Sequence, residues 1–130
     1  MEKHILFVDD SPTIRSSVSF CLRNAGYRVT EAVDGKDGLE KVQSFKDKGD
    51  SLSLIITDIN MPRMDGITFI SEVKETEFKF IPILVLTTEA EESMIKKGRD
   101  AGASGWLLKP FQPEELLWAV KKVVWPNDRG

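Results

Sequence analysis

The sequence predicts a single α/β domain in which a doubly wound, five-stranded parallel sheet is covered by five helices. Short apolar runs alternate along the chain with longer segments whose apolar residues recur at helical spacing. The alternation occurs five times. Strands joined by helices form parallel sheets that are buried on both faces, and their crossover connections are right-handed. The 130 residues are the length of one ordinary domain, and no linker, repeat or low-complexity segment divides them. We therefore expect one domain over residues 1–130.

The five strands are predicted from apolar runs that stop at a polar or charged residue. These runs cover residues 5–8, 28–32, 52–57, 83–86 and 105–108. The second run is the most polar, whereas Leu54, Ile55 and Ile56 give the third an apolar centre. Pro82 stands directly before the fourth run, a position that a strand tolerates.

The five helices are predicted from their start and stop signals as well as from their spacing. Ser11 and Pro12 are an N-cap and a first-turn proline, and Gly26 ends that first helix. The second helix follows Asp34, the third follows a loop over 59–65, the fourth covers about 91–101, and the fifth begins at Pro113. The side chains predicted to face the core are Ile14, Val18, Cys21, Leu22 and Ala25, then Leu39, Val42 and Phe45, then Ile67, Ile70 and Val73, then Met94, Ile95 and Ala101, and finally Leu116, Leu117, Val120, Val123 and Val124.

Composition excludes several classes of protein. Hydrophobic residues make up 41% of the chain and charged residues 30%, as in soluble globular domains. The net charge of −3 argues against a general binder of nucleic acid or of anionic membranes. The single cysteine, Cys21, excludes an internal disulfide framework. No apolar run is long enough for a signal peptide or a membrane-spanning helix, so we expect a cytoplasmic protein without membrane insertion.

The residues that end the predicted strands carry the chemistry. Asp9 and Asp10 follow the first strand, Asp58 the third, Thr87 the fourth and Lys109 the fifth. In an open α/β sheet, ligands bind outside the carboxyl ends of the strands. If the first and third strands are neighbours, their ends lie about 4.8 Å apart, and the three carboxylates converge.

Three carboxylates in such a group need a strong counter-charge. At about 5 Å and an effective dielectric constant of about 20, each like-charged pair costs roughly 3 kcal/mol. One lysine cannot neutralise three anions, whereas an all-oxygen site suits a magnesium ion. Phosphoryl transfer needs a nucleophile, a cation and groups that bind the remaining phosphoryl oxygens. A carboxylate, magnesium, Lys109 and the hydroxyl of Thr87 form that set, which predicts an aspartate that accepts a phosphoryl group.

Four segments make the sequence recognisable. They are FVDDS at 7–11, TDINMPRMDG at 57–66, TT at 87–88 and GASGWLLKPF at 102–111. With these segments the chain resembles the receiver domains of two-component response regulators over about residues 3–125, and most closely the single-domain, CheY-like members. The resemblance implies a flavodoxin-like fold with strand order 2-1-3-4-5, for which such proteins are a standard example. It also implies a signalling protein rather than a conventional enzyme, one that promotes its own phosphorylation and dephosphorylation.

The resemblance assigns a role to each matching residue of the acidic group. Asp58 corresponds to the phosphoacceptor. Magnesium would be bound by the side chains of Asp10 and Asp58 and by the backbone carbonyl of Asn60, while Asp9 would assist through water or by orienting the ion. Lys109 would pair with the phosphoryl group.

The same resemblance implies a switch. Thr87 would move to form a hydrogen bond with the phosphoryl group, and Trp106 stands where the family carries an aromatic rotamer switch, usually tyrosine or phenylalanine. Because aromatic side chains bury large areas whatever their function, Trp106 as ordinary core packing is the competing interpretation. The bond between Lys109 and Pro110 is similar to one that is cis in the family.

The resemblance also implies partners. A sensor histidine kinase of the chemotaxis type would phosphorylate the chain, which would act as a monomer and change the face formed by helix four, strand five and helix five. The flagellar motor switch is the implied target. A phosphorelay intermediate, a phosphate sink or a regulator of a non-flagellar partner is the alternative.

Two other classes of protein, and an ordinary structural role, remain open at this point. A phosphatase with an aspartyl-phosphate intermediate could use Asp9 as nucleophile, although it favours a second acid where this chain has Ser11. A flavin-binding protein of the same fold would offer hydroxyls and amides to the flavin phosphate in its first strand–helix loop. In this chain that loop carries Asp9 and Asp10, which would repel a phosphate. Finally, aspartates are common in turns, so each strand-end aspartate could be purely structural.

Overall fold

The computed structural model describes residues 2–125, so the domain predicted over 1–130 extends past the described residues at both ends. Five parallel strands form one sheet in the order β2-β1-β3-β4-β5. The strands are β1 His4–Val8, β2 Arg28–Ala32, β3 Leu54–Thr57, β4 Ile83–Thr87 and β5 Gly105–Leu108. The helices are α1 Pro12–Asn24, α2 Gly35–Lys48, α3 Gly66–Val73, α4 Glu92–Ala101 and α5 Pro113–Val124. The predicted fold and strand order are confirmed.

The sheet separates two apolar layers because successive side chains of a strand point to opposite faces. Leu6 of β1 and Ile55 of β3 belong to the layer covered by α2, α3 and α4, together with Phe69. Ile5 and Phe7 of β1 belong to the layer covered by α1 and α5. The three central strands, β1, β3 and β4, are buried throughout. The sheet is therefore a rigid support for the loops at its carboxyl edge.

Helix ends follow the capping residues that the sequence predicts. The Ser11 side chain accepts a hydrogen bond from the N–H of Ile14 at 3.3 Å and so caps α1. The Asp34 carboxylate accepts from the N–H of Asp37 at 2.9 Å and caps α2, which ends at Gly49 with a left-handed φ of 66°. These caps satisfy N–H and C=O groups that a helix end leaves without partners. They also fix where α1 and α2 begin relative to β1 and β2.

Two packing expectations are wrong. Ala25, predicted to face the core, is exposed because α1 ends at Asn24 and Ala25 is already the C-cap residue. The sheet is not buried on both faces at β5, which is an edge strand that the flanking helices cover only in part; 43% of Leu108 is exposed. Among residues 2–125, no helix has both the length and the apolar character needed to cross a membrane.

Candidate functional site

The carboxyl ends of β1 and β3 place two aspartates side by side. Val8 and Thr57 are partners in the parallel register, and the next residue on each strand is an aspartate. The N–H of Asp58 donates to the carbonyl of Val8 at 3.0 Å, and the N–H of Asp9 donates to the carbonyl of Ala32 at 3.1 Å. Each aspartate thus continues the backbone ladder by one residue, and its position is as fixed as that of the strand before it.

Three carboxylates converge at this edge of the sheet. One carboxylate oxygen from each of Asp9, Asp10 and Asp58 lies within 4.8 Å of those of the other two. Asp9 is fully buried, Asp58 is 9% exposed, and Asp10 is exposed. Opposite ligands of an octahedral magnesium ion are about 4.2 Å apart, so this all-oxygen group suits magnesium in both chemistry and size. The structure therefore brings together the three acids that the sequence analysis selected.

Lys109 reaches the acids from the end of β5. Its ammonium donates to Asp9 Oδ2 at 2.8 Å and to Asp58 Oδ2 at 2.9 Å. Burial alone would lower the pKa of Lys109, but the hydrogen bonds and negative charges of Asp9 and Asp58 outweigh it and raise the pKa above its usual value. Lys109 is thus firmly protonated. The peptide bond between Lys109 and Pro110 is cis, as the resemblance implies.

Backbone groups hold the remaining carboxylate oxygens. The N–H of Ile59 donates to Asp58 Oδ1 at 2.6 Å, and the N–H of Ser11 donates to Asp9 Oδ1 at 2.9 Å. The guanidinium of Arg15 donates to the carbonyl of Asp9 at 2.6 Å. The two buried carboxylates are therefore oriented before any ligand arrives. Sequence reasoning missed Arg15, since an arginine one turn into a helix has the usual pattern of a solvated residue.

Thr87 and Trp106 both form hydrogen bonds with the backbone of Glu89, in the loop between β4 and α4. The hydroxyl of Thr87, fully buried at the end of β4, accepts from the N–H of Glu89 at 3.3 Å. The indole N–H of Trp106 donates to the carbonyl of the same Glu89 at 2.9 Å. Trp106 is half-buried and lies against Gly98 of α4. The two predicted switch residues are therefore linked through the backbone of Glu89.

Asn60 lies on the loop between β3 and α3 and is exposed. The loop is closed at its base, where the N–H of Gly66 donates to the carbonyl of Ile59 at 2.7 Å. A side chain at residue 66 would collide with the carbonyl of Asp58, so this close approach requires glycine. The loop therefore returns to the backbone of Asp58 and Ile59, with Asn60 at its start.

Comparisons with known proteins agree with this geometry. The family model described as the response regulator receiver domain matches residues 5–121. Among curated proteins, chemotaxis protein CheY1 of Helicobacter pylori is 35% identical over 126 residues, which cover 95% of this chain and 98% of that protein. Chemotaxis protein CheV3 of the same organism is 35% identical over 97% of this chain. The chain spans only 42% of the length of CheV3.

Solved structures with the same fold include a chemotaxis protein and a CheX–CheY complex. CheY4 of Vibrio cholerae is 43% identical, with a TM-score of 0.87 over 95% of this chain and 99% of that one. A complex of CheX with CheY, BeF3 and magnesium from Borrelia burgdorferi is 25% identical, with a TM-score of 0.85 over 93% of this chain and 88% of that one. The resemblance that the four sequence segments indicated is confirmed. This chain belongs to the family of response regulator receiver domains, the CheY-like signalling domains of two-component systems.

Proposed function

We propose that the chain is a stand-alone response regulator that accepts a phosphoryl group on Asp58 from a sensor histidine kinase. The supporting observation is the position of Asp58 Oδ2, which lies 2.9 Å from the Lys109 ammonium and within a group of carboxylates that suits magnesium. Aspartates that only shape a turn do not require a partly buried lysine that bridges two of them, as Lys109 bridges Asp9 and Asp58. The convergence of the acids and the lysine therefore favours phosphoryl transfer over a purely structural role.

In the proposed reaction, an oxygen of Asp58 attacks the phosphorus of a phosphohistidine. A new O–P bond forms, the P–N bond breaks, and its electron pair stays on the imidazole nitrogen. Lys109 would stabilise the negative charge on the phosphoryl oxygens, and Asp9 orients Lys109 through the 2.8 Å bond. Magnesium, held by the side chains of Asp10 and Asp58 and the carbonyl of Asn60, would neutralise charge on those oxygens.

The proposed switch uses the Glu89 backbone unit. A phosphoryl group on Asp58 would draw the hydroxyl of Thr87 away from the N–H of Glu89. The carbonyl of the same residue holds Trp106, so a change in this loop is passed to the indole ring. We propose that Trp106 then changes rotamer and alters the face formed by α4, β5 and α5. This is a shift between two populated states, biased by the new charge.

The proposed output is the control of a flagellar motor switch by a cytoplasmic monomer with a single domain over 1–130. Two observations support it. The similar proteins CheY1 and CheY4 are named as chemotaxis proteins. The face formed by α4, β5 and α5 is open to a partner, since Leu108 is 43% and Trp118 is 64% exposed. Large apolar side chains that stay exposed on a helix and strand surface are one mark of an interaction site.

Phosphorylation by a small donor tests the proposed reaction. Incubation with acetyl phosphate and magnesium, followed by mass spectrometry, should place a phosphoryl label on Asp58. Asp58→Asn should abolish the label, whereas Asp100→Asn, which alters an exposed acid of α4, should not. Label on Asp9 would favour the phosphatase alternative instead. No magnesium-dependent label on any residue would contradict the proposal.

Binding to the motor switch tests the proposed output. The immobilised protein is incubated with cell lysate, with and without beryllofluoride and magnesium, and the captured proteins are identified by mass spectrometry. Retention of the motor switch protein only with the phosphate mimic supports the proposal. Retention of a histidine-containing transfer protein in its place would instead assign the chain to a phosphorelay.

A further inference from the structure

An ion pair outside the acidic group joins two loops at the carboxyl edge of the sheet. The guanidinium of Arg63 donates through Nε to Asp34 Oδ2 at 2.7 Å and through a terminal nitrogen to Asp34 Oδ1 at 3.0 Å. Such two-point contacts fix orientation as well as distance. Asp34 is only 4% exposed and also caps α2 through the N–H of Asp37. The carboxylate is therefore a rigid anchor for Arg63.

The backbone of Arg63 indicates that this contact is imposed. Arg63 has a φ of 63°, in the left-handed region that residues other than glycine, asparagine and aspartate seldom occupy. The neighbouring Met64 is held as well, because its carbonyl accepts from the N–H of Gly35 at 3.2 Å. A side chain at residue 35 would come within 2.8 Å of the Met64 Cβ, so the loop lies directly against the first turn of α2. Packing and ion pair together keep Arg63 in its strained conformation.

The loop held in this way is the one that carries Asn60. Its base is closed by the hydrogen bond from Gly66 to Ile59, and its far side is held by Arg63. A backbone carbonyl has no side-chain rotamer to adjust, so its direction depends on the path of the chain on both sides. The contact with Asp34 fixes Arg63, which follows Asn60 on the same loop, and so restricts the path of the chain on that side of Asn60.

We infer that Arg63 is a positioning residue for the divalent cation, acting through its ion pair with Asp34 on the loop that presents the Asn60 carbonyl. This inference rests on the proposed function of the acidic group. Groups that orient metal ligands from outside typically change metal affinity by about 10–100-fold when they are removed. The ion pair lies beyond the three acids and Lys109, so its loss should change cation affinity more than the chemistry of transfer.

Magnesium binding to Arg63→Asn tests the inference. Asparagine tolerates the left-handed backbone, so this variant removes the ion pair without adding strain at residue 63. Titration by calorimetry should give a dissociation constant for magnesium about 10-fold higher than in the wild type. At saturating magnesium, the rate of phosphorylation by acetyl phosphate should stay within about twofold of the wild-type rate. Arg63→Lys, which retains one charged contact, should recover part of the affinity.

A second variant and a control guard against effects on folding. Arg63→Asn alone leaves the buried carboxylate of Asp34 without its partner, which could destabilise the fold. The double variant Asp34→Asn with Arg63→Asn removes both charges, and an asparagine at residue 34 still caps α2. This double variant should show the same loss of magnesium affinity while its circular dichroism matches the wild type. Lys46→Gln breaks an exposed ion pair, 3.1 Å between Lys46 and Glu77, and it should leave magnesium affinity unchanged.

The outcomes separate the two proposals. A folded double variant with wild-type magnesium affinity would overturn the positioning role of Arg63. Unchanged magnesium affinity of the double variant, together with slower phosphoryl transfer at saturating magnesium, would overturn it as well, since that result would place Arg63 in the transfer step. If the wild type binds magnesium but accepts no phosphoryl group on Asp58, the proposed function fails, and calorimetry still decides the role of Arg63.

Discussion

Replacing Gly98 by alanine tests how tightly α4 holds the predicted switch residue Trp106. A Cβ at residue 98 would lie 3.3 Å from both Cε3 and Cη2 of Trp106, and closer still to Cζ3. Carbon atoms in contact prefer separations of about 3.5–4.0 Å. The indole is also held by its hydrogen bond to the carbonyl of Glu89 at 2.9 Å. The new methyl group therefore has to displace the ring or the helix.

Opposing contributions determine whether Gly98→Ala raises or lowers the free energy of unfolding. Alanine is favoured over glycine inside a helix by about 1 kcal/mol. Forcing a methyl group into a filled contact costs roughly 1–3 kcal/mol. Displacement of the ring also weakens the indole hydrogen bond, which contributes about 1 kcal/mol. We therefore expect Gly98→Ala to lower the free energy of unfolding by about 1–3 kcal/mol.

Urea denaturation followed by far-ultraviolet circular dichroism measures this free energy in two backgrounds. Against the wild type, Gly98→Ala should be destabilising. In a Trp106→Val background no ring occupies the space, so the same substitution should stabilise by about 1 kcal/mol. The reversal of sign isolates the contact between the two residues. A stabilisation of equal size in both backgrounds would refute the packing of the indole against α4.

Two further predictions concern charge. Asp58→Asn should raise the melting temperature in EDTA, because it relieves two like-charged pairs of roughly 3 kcal/mol each, which outweighs the loss of one contact with Lys109. The variant should also lack the rise in melting temperature that magnesium causes in the wild type. Equal melting temperatures of variant and wild type in EDTA would contradict the crowding of the acids. Burial, aided by the charge of Arg28, lowers the pKa of His4, the single histidine of the chain, below its usual value. Folded His4 therefore resists protonation, and its contribution to stability is present above about pH 6.5 and lost as the pH falls through the folded pKa. Urea midpoints should fall between pH 7 and 5 for the wild type and change less for His4→Gln, whereas parallel pH profiles would show that His4 does not titrate in this range.

The position of the acidic group could be predicted because buried strands stop where charge begins. The apolar run of β1 ends at Asp9, and that of β3 ends at Asp58, so both strand ends are visible in the sequence. Convergence required that β1 and β3 be neighbours, a fact that hydrophobic periodicity does not contain. The family resemblance supplied that order, and the pairing of Val8 with Thr57 confirms it.

The ion pair and hydrogen bonds around the acidic group could not be predicted from local sequence. Arg63 and its partner Asp34 are 29 positions apart, and an arginine in a polar loop has the pattern of a solvated side chain. Arg15 presents the same difficulty on α1. The partial exposure of β5 was missed for a related reason, since the cover of an edge strand depends on how far α4 and α5 extend across it. Such features depend on tertiary packing, which a single sequence does not record.

The single ammonium shared by Asp9 and Asp58 has a mechanical consequence. Lys109 directly follows β5, one of the two edge strands, whereas its two anionic partners follow the interior strands β1 and β3. The ammonium therefore spans β4 and acts as a non-covalent cross-link from the margin of the sheet to its centre. Esterification of Asp58 would change one of its two attachment points. The chemical state of one oxygen of Asp58 is thus coupled to the freedom of an edge strand of the sheet.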